Sequence, residues 1–392
     1  MNHSKPATRP LTYLIVINNL SFLYSHFWNL AVAIRDAGWE VTIAANQDVS
    51  AARVVESGMM FVSLPPVGGM GAIGRVFRYY GALTFQLHRL RPTAAHFIYL
   101  ENVLLGGIAS RLARIPAVIG AITGLGTLFA ESRPHYKAVR LLVMAGIRWG
   151  FGNHNSVLVF ENVDDKSLFI NRKAISESRT ALIPGAGVPA DEIVPSDAQN
   201  QKPIILFASR MIRSKGAEEL VHAAEEIYNK GIDLELWLVG SIDSTNPTCF
   251  RAEEISNFEK LDFVRYLAYR TDVADLMKQA DVFCLPTYYR EGLPRVLIEA
   301  CAAGKPIVTT NVPGCREIVH NEVNGLIVPP RDHAALVSAL SILLRDKDLR
   351  HSMGKEARRI FEERYTLNAF FLAFDKCYRT LDVPLVLHRR TS

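Results

Sequence analysis

Two glutamates with seven residues between them, Glu291-Gly-Leu-Pro-Arg-Val-Leu-Ile-Glu299, give the strongest chemical signal in the chain. They follow an apolar run, Val282–Leu285, and a short loop, Pro286–Arg290. Pro294 suits the first turn of a helix, where a missing N–H costs nothing, and Gly304 and Pro306 suit its far end. Gly292 and Leu293 would then present backbone N–H groups at a helix N-terminus, which is a ready site for an anion. Glu291 falls just outside that helix and Glu299 more than one turn inside it. One carboxylate can face the reacting end of a ligand and the other its distal hydroxyls. The plainer reading makes Glu291 a charge favoured by the helix dipole, worth ~0.3–1 kcal/mol, and Glu299 a solvated face residue. A second cluster argues against that reading. The strand-like run Ile204–Ala208 leads into Ser209-Arg210-Met-Ile-Arg213-Ser-Lys215-Gly216, just ahead of a helical pattern. Arg210 and Lys215 suit a diphosphate, one by planar bidentate contacts and the other as a mobile point charge; the alternative is a basic surface loop. The glycine spacing of a P-loop is absent. Asp346-Lys347-Asp348 reads as surface between helical patterns.

The elements that must carry these residues follow from periodicity. Leu11–Ile17 is a continuous apolar run, long enough for a strand buried on both faces of a parallel sheet. Helical spacing over Phe27–Asp36, a stop at Gly38 and a strand at Glu40–Ala44 complete a β-α-β unit. Further strands are expected at Met60–Leu64, Ala95–Ile98, Ala117–Ile122, Val157–Phe160 and Thr180–Ile183. Residues 184–203, with prolines at 184, 189, 195 and 203, read as a linker. The pattern then restarts with strands at Ile204–Ala208, Glu235–Val239, Val264–Leu267, Val282–Leu285 and Ile307–Thr310, and helices at Ala217–Lys230, Asp272–Gln279 and Pro294–Ala303. The expected division is an N-terminal Rossmann-like domain at 1–183, the linker at 184–203, a second Rossmann-like domain at 204–364, and a C-terminal helix at 365–392 that crosses back to the first domain. In open α/β sheets ligands sit beyond the carboxyl ends of the strands, so the chemistry belongs in the loops that follow strands.

Composition bounds the class. The 392 residues are 49% apolar and 21% charged, which excludes bulk disorder. Five cysteines (Cys249, Cys284, Cys301, Cys315 and Cys377) show no C-x-x-C spacing and exclude a disulfide scaffold. The net charge of +5 hides an asymmetry: residues 1–180 carry +8 and the remainder −3. The basic half should meet something anionic, a membrane surface or phosphates. No secretory signal is evident. The stretch from Arg9 to Arg35 has no charge between its ends, but Asn18, Asn19, Ser21, Ser25, His26 and Asn29 argue against a membrane span. Two segments combine cations with aromatics, Arg75 to Arg91 and Arg133 through Lys137, Arg140, Arg148, Trp149 and Phe151. They suit an anionic leaflet. No nucleic-acid recognition motif accompanies the charge.

The runs "FENVDD" at 160–165, "ASRMIRSKG" at 208–216, "YYREGLPRVLIEACAAGKPIVTTNVPGCREIV" at 288–319 and "NGLIVPPRD" at 324–332 resemble those of the retaining glycosyltransferases of family 4. Within it the chain looks most like the branch that extends lipid-linked bacterial glycans. The resemblance implies an α/β chain of GT-B fold, two Rossmann-like domains with parallel sheets facing across a cleft. It implies that Glu291 approaches the hydroxyls of the donor sugar, and that Gly292, Leu293 and Pro294 lie near sugar and diphosphate. Glu299 would hold the ribose, Arg210 and Lys215 the diphosphate, and Leu267 with Ala268–Arg270 would edge the base. No metal or other cofactor is implied. The first loop departs from the family's glycine-rich form and reads Asn18-Asn-Leu-Ser-Phe-Leu-Tyr-Ser-His26. His26, His96 and Thr123 are the acceptor-side candidates, Thr123 standing where relatives carry a histidine. The expected activity is metal-independent, retaining transfer of a sugar, from a UDP-sugar, to a polyprenyl-diphosphate-linked glycan. The enzyme would sit peripherally on the inner face of the cytoplasmic membrane. A sugar-nucleotide epimerase of the same fold and a catalytically silent sugar-binding subunit are the alternatives.

Overall fold

The computed structural model describes residues 10–67, 72–130, 134–152, 155–196, 200–242, 246 and 248–387. The chain divides into two units, one formed by 1–186 together with 370–392 and the other by 187–369. Each is built on one parallel sheet.

The first sheet has seven strands: β1 (Thr12–Val16), β2 (Glu40–Ala45), β3 (Met60–Ser63), β4 (Ala94–Ile98), β5 (Ala117–Ile122), β6 (Ser156–Phe160) and β7 (Thr180–Leu182), in the order β3-β2-β1-β4-β5-β6-β7. The second has six: β8 (Ile204–Ala208), β9 (Glu235–Val239), β10 (Val264–Tyr266), β11 (Val282–Leu285), β12 (Ile307–Thr310) and β13 (Gly325–Val328), in the order β10-β9-β8-β11-β12-β13. All pairings are parallel; in the second sheet Val282 lies beside Ile205 and Phe283 beside Leu206. The wiring reverses direction once in each sheet, between β1 and β4 and between β8 and β11. Those two points are where a doubly wound sheet opens a crevice at its carboxyl edge. The central strands β1, β4, β5, β8, β11 and β12 are buried almost throughout, which explains their largely apolar sequences; His96 in β4 and Thr309 and Thr310 in β12 are buried polar exceptions.

Three local readings are corrected by the structure. Asn18–His26 is not an open loop: Asn19 caps a helix from Leu20, its side chain accepting the Ser21 amide at 2.7 Å, and Leu23–Phe27 forms a π turn before the helix Trp28–Asp36. Pro294 stands one place ahead of the helix Arg295–Ala302, at its N-cap, rather than within its first turn. Gly325–Val328, quoted above only as a motif, is the edge strand β13. Within 184–203, Val188 and Ile193 are buried in the second core, and residues 197–199 lie outside the described ones.

The first core is completed from far along the chain. Tyr13 on β1 meets Tyr378 of the helix Leu367–Thr380, hydroxyl to hydroxyl at 3.1 Å, and Phe27 packs edge-on to Phe370. Among the described residues no helix is long and apolar enough to cross a membrane. The two basic-aromatic segments form helices, Ala72–Leu90 and Pro134–Phe151. The first exposes Phe77 and Phe85, and the second exposes Leu141, Leu142 and Trp149. Phe151 is fully buried and drops out of that surface, and Arg133 lies outside the described residues.

Candidate functional site

The crevice of the second sheet is closed by two loops, one after β8 and one after β11. The first leaves Ala208, makes a 3-10 turn at Arg213–Lys215 and enters the helix Ala217–Asn229 through Gly216. Gly216 adopts φ +84°, and a Cβ there would lie 2.3 Å from the carbonyl oxygen of Pro286. Only glycine allows both the left-handed turn and the close approach. The loops are then tied together, the Tyr288 amide donating to the Ser214 carbonyl at 2.9 Å.

This closure brings Lys215 onto Glu291. The ammonium and the Glu291 carboxylate form an ion pair in which each residue is only 8% exposed. Thr287, fully buried, stands beside them. Its single hydroxyl proton can serve the Ser214 carbonyl at 3.0 Å or Glu291 Oε1 at 3.2 Å, while its oxygen accepts the Tyr289 amide at 3.1 Å. The Tyr289 ring centroid lies 5.5 Å from Lys215 Nζ. Burial raises the Tyr289 hydroxyl above its ordinary pKa, Glu291 adds to that, and the charge of Arg210 works the other way. Lys215 is therefore neither a mobile nor a solvated cation; one of its three donors holds it against a carboxylate.

Arg210 is different. It is exposed and makes no ion pair among the described residues. Its neighbour Arg213 is tied up, donating to Glu218 at 3.1 Å and to Glu254. Gly292 and Leu293 lead into the helix Arg295–Ala302, and Gly314 backs them: at φ +82°, its Cβ position is 2.0 Å from the Gly292 carbonyl oxygen. Glu299 lies further along that helix, accepting from Arg295 Nε at 2.7 Å. Burial pushes its carboxyl above the usual range, and Arg295 opposes the shift. Leu267, at the end of β10, is held by its amide on the Leu238 carbonyl at 2.8 Å. The following Ala268 has φ +52°, and its carbonyl accepts the Gly240 amide at 2.8 Å. The second unit thus places a buried cation–carboxylate pair, an exposed arginine and a helix N-terminus in the loops that close one sheet edge. Thr287, Tyr289, Arg295 and Gly314 were not singled out as individual residues in the sequence. All lie in or beside the long run 288–319, and the Pro-Gly step at 313–314 was the readable sign of a close backbone approach.

The acceptor-side candidates all lie in the first unit. His96 is in β4 and fully buried, edge-on to Tyr13 and Phe27 and beside Phe374. Desolvation lowers its pKa to about 3. It is a neutral core residue, in surroundings that do not fit contact with a substrate. His26 stacks on Phe22 with centroids 3.9 Å apart, and its Nδ1 lies 2.7 Å from the Ser25 hydroxyl. Thr123 follows β5 and is half-buried. At the same edge Asn18 Nδ2 donates to Glu101 at 2.7 Å, a carboxyl raised by burial. Among the described residues no group of three or more His, Cys, Asp or Glu side chains could hold a metal ion.

Known proteins match this arrangement. The family model described as "Glycosyl transferases group 1" matches residues 190–360. A curated relative from Campylobacter jejuni, N,N'-diacetylbacillosaminyl-diphospho-undecaprenol alpha-1,3-N-acetylgalactosaminyltransferase, is 27% identical over 68% of this chain and 70% of its own length. An Escherichia coli relative, UDP-Gal:alpha-D-GlcNAc-diphosphoundecaprenol alpha-1,3-galactosyltransferase, is 25% identical over 65% of this chain and 67% of its own. Among solved structures, a sucrose-phosphate synthase from Thermosynechococcus elongatus covers 96% of this chain and 100% of its own, with a TM-score of 0.75 at 20% identity. Residues 190–360 thus match the glycosyl transferases group 1 model, within an α/β chain of the GT-B fold.

Proposed function

We propose that this protein is a retaining glycosyltransferase that moves a sugar from a UDP-sugar to a polyprenyl-diphosphate-linked glycan, without a metal, at the inner face of the cytoplasmic membrane. The observation that carries the reading is the buried Lys215–Glu291 pair beside exposed Arg210 and the N-terminus of the helix Arg295–Ala302. Departure of a nucleoside diphosphate puts negative charge on phosphate oxygens and positive charge on the anomeric carbon. Arg210, Lys215 and the amides near Gly292 are the groups to receive the first. Glu291, whose charge Lys215 holds in place, faces the sugar hydroxyls, and Glu299 takes the ribose. Leu267 and the Ala268 turn edge the base. Attack from the same face by an acceptor hydroxyl keeps the anomeric configuration, and the leaving phosphate can accept the proton. His26 and Thr123 remain the acceptor-side residues. The acceptor class is supported by the names of the Campylobacter and Escherichia relatives, both of which specify an undecaprenol diphosphate. Peripheral attachment is supported by the basic helices Ala72–Leu90 and Pro134–Phe151 with their exposed apolar side chains.

The test is a panel of UDP-sugars incubated with polyprenyl-diphosphate-linked mono- and oligosaccharides, with and without chelator. Product mass and anomeric configuration are read. One added hexose unit, with the donor's α configuration and no loss of rate in chelator, is expected. An inverted product removes the retaining mechanism. A new epimer of UDP-GlcNAc formed without any acceptor would replace transfer by isomerisation.

A further inference from the structure

A pocket of about 760 Å³ opens in the first unit at the edge opposite to the candidate acceptor residues. Arg111 ends the helix Leu100–Ala113, which leads into β5; Arg148 and Trp149 end the helix that leads into β6; Lys173, Ser176 and Arg179 precede β7. Every one of these segments feeds the start of a strand, so the pocket lies at the amino edge of the sheet. His26 and Thr123 follow strands and lie at the carboxyl edge.

Four of the lining residues are cations, and no carboxylate is among the described lining residues. One of the cations, Arg111, is fixed by a neutral acceptor: it donates to the Trp149 carbonyl and stacks on the Trp149 ring at 4.7 Å. Arg179 is anchored in part on the Phe151 carbonyl at 2.8 Å. A carbonyl positions a guanidinium without cancelling its charge. Arg148 and Lys173 make no ion pair among the described residues, although Lys173 is held in a left-handed turn at φ +55°. Arg111, Arg148 and Lys173 converge without an ion pair of their own among the described residues; they repel one another, and a bound anion relieves that repulsion. Planar guanidinium groups favour phosphate oxygens. The volume far exceeds one phosphate, and Trp149, 43% exposed, offers an apolar face for whatever the phosphate carries.

We propose that this pocket binds a phosphate-bearing ligand larger than phosphate itself, either a phospholipid headgroup or a soluble phosphate ester. The site uses none of the donor- or acceptor-side residues, but a lipid occupant would rest on the membrane attachment proposed above, since Arg148 and Trp149 belong to the helix Pro134–Phe151. The whole chain is tested in two arms. In the first, flotation with phosphatidylglycerol vesicles is compared with phosphatidylcholine vesicles. In the second, inorganic pyrophosphate is titrated while Trp149 emission is followed, taken as the difference between wild type and Trp149→Phe. Arg148→Ala/Lys173→Ala, both at exposed positions, should keep the wild-type melting temperature. It should weaken one of the two interactions by roughly 30-fold, about fivefold per lost cation. Loss confined to the anionic vesicles assigns the lipid source, and loss of the pyrophosphate response assigns the soluble one. If neither arm differs between wild type and the double variant, the proposal is wrong.

Discussion

Replacing Lys215 by methionine tests the centre of the candidate site, because it keeps most of the volume and removes the charge. Glu291 would then be a carboxylate in a site where the residue is only 8% exposed, with Thr287 as one remaining donor at 3.2 Å. Breaking one side of a buried pair costs ~3–5 kcal/mol, and the small remaining access to water trims this to about 3 kcal/mol. For a unit the size of Gly187–Ala369 that loss lowers the melting temperature by roughly 6–12 °C. Adding Glu291→Leu removes the buried carboxylate, and the double variant should return to within ~1 kcal/mol of wild type, a recovery of about 2 kcal/mol. Turnover should behave otherwise: both variants should fall ~10²–10³-fold, since restoring packing does not restore the groups facing developing charge. Calorimetry and initial rates on the three proteins supply the numbers. If Lys215→Met melts with the wild type, the pair is not buried as described. If the double variant recovers turnover, the pair has no part in the chemistry.

Three further outcomes are expected. Gly314→Ala forces a methyl against the Gly292 carbonyl at a left-handed φ, so stability should drop by ~1–3 kcal/mol and UDP affinity should fall with it, by calorimetry. Glu299→Gln should raise the donor KM about tenfold with little change in kcat, because a hydroxyl contact distant from the reacting carbon binds ground and transition states alike; kinetics with varied donor decide it. His96 is neutral when folded, its pKa lowered to about 3, and takes up a proton near pH 6.5 when unfolded. Its contribution is complete above that pH and is lost as the pH falls, by about 2 kcal/mol between pH 6.5 and 5. His96→Leu should flatten that part of the stability–pH curve in denaturant titrations.

The strands around the site were legible because β8 and β11 are buried, unbroken apolar runs and β9 and β12 are short runs of mostly apolar, β-branched or aromatic residues, so all four coincide with their sequence boundaries. β13 was not, since Gly325 opens it and Pro329 closes it, leaving too short a run to stand out. Lys215 and Glu291 were each legible as candidates, but not as partners. They are 76 residues apart and meet only because β8 and β11 pair in one register and Gly216 lets the loops touch. Lys215 read as exposed because its surroundings in sequence are polar, whereas its burial is supplied by the other loop. The placement of His96 was hidden for the same reason: its alternation within β4 fits either face, and the ring's neighbours come from Tyr13 and Phe374.

The aromatic seam joining Tyr13 to Tyr378 bears on how the protein matures on the ribosome. The first unit's sheet emerges early, yet the Tyr13–Tyr378 contact spans 365 residues. Until Phe370, Phe374 and Tyr378 leave the exit tunnel, the chain carries a finished sheet with an uncovered apolar flank. The second unit is one continuous segment and can close around its own core meanwhile. The first unit is therefore sealed only after the second has emerged, and a nascent chain interrupted before Phe370 would display Phe27 and the face of β1 to chaperones and proteases.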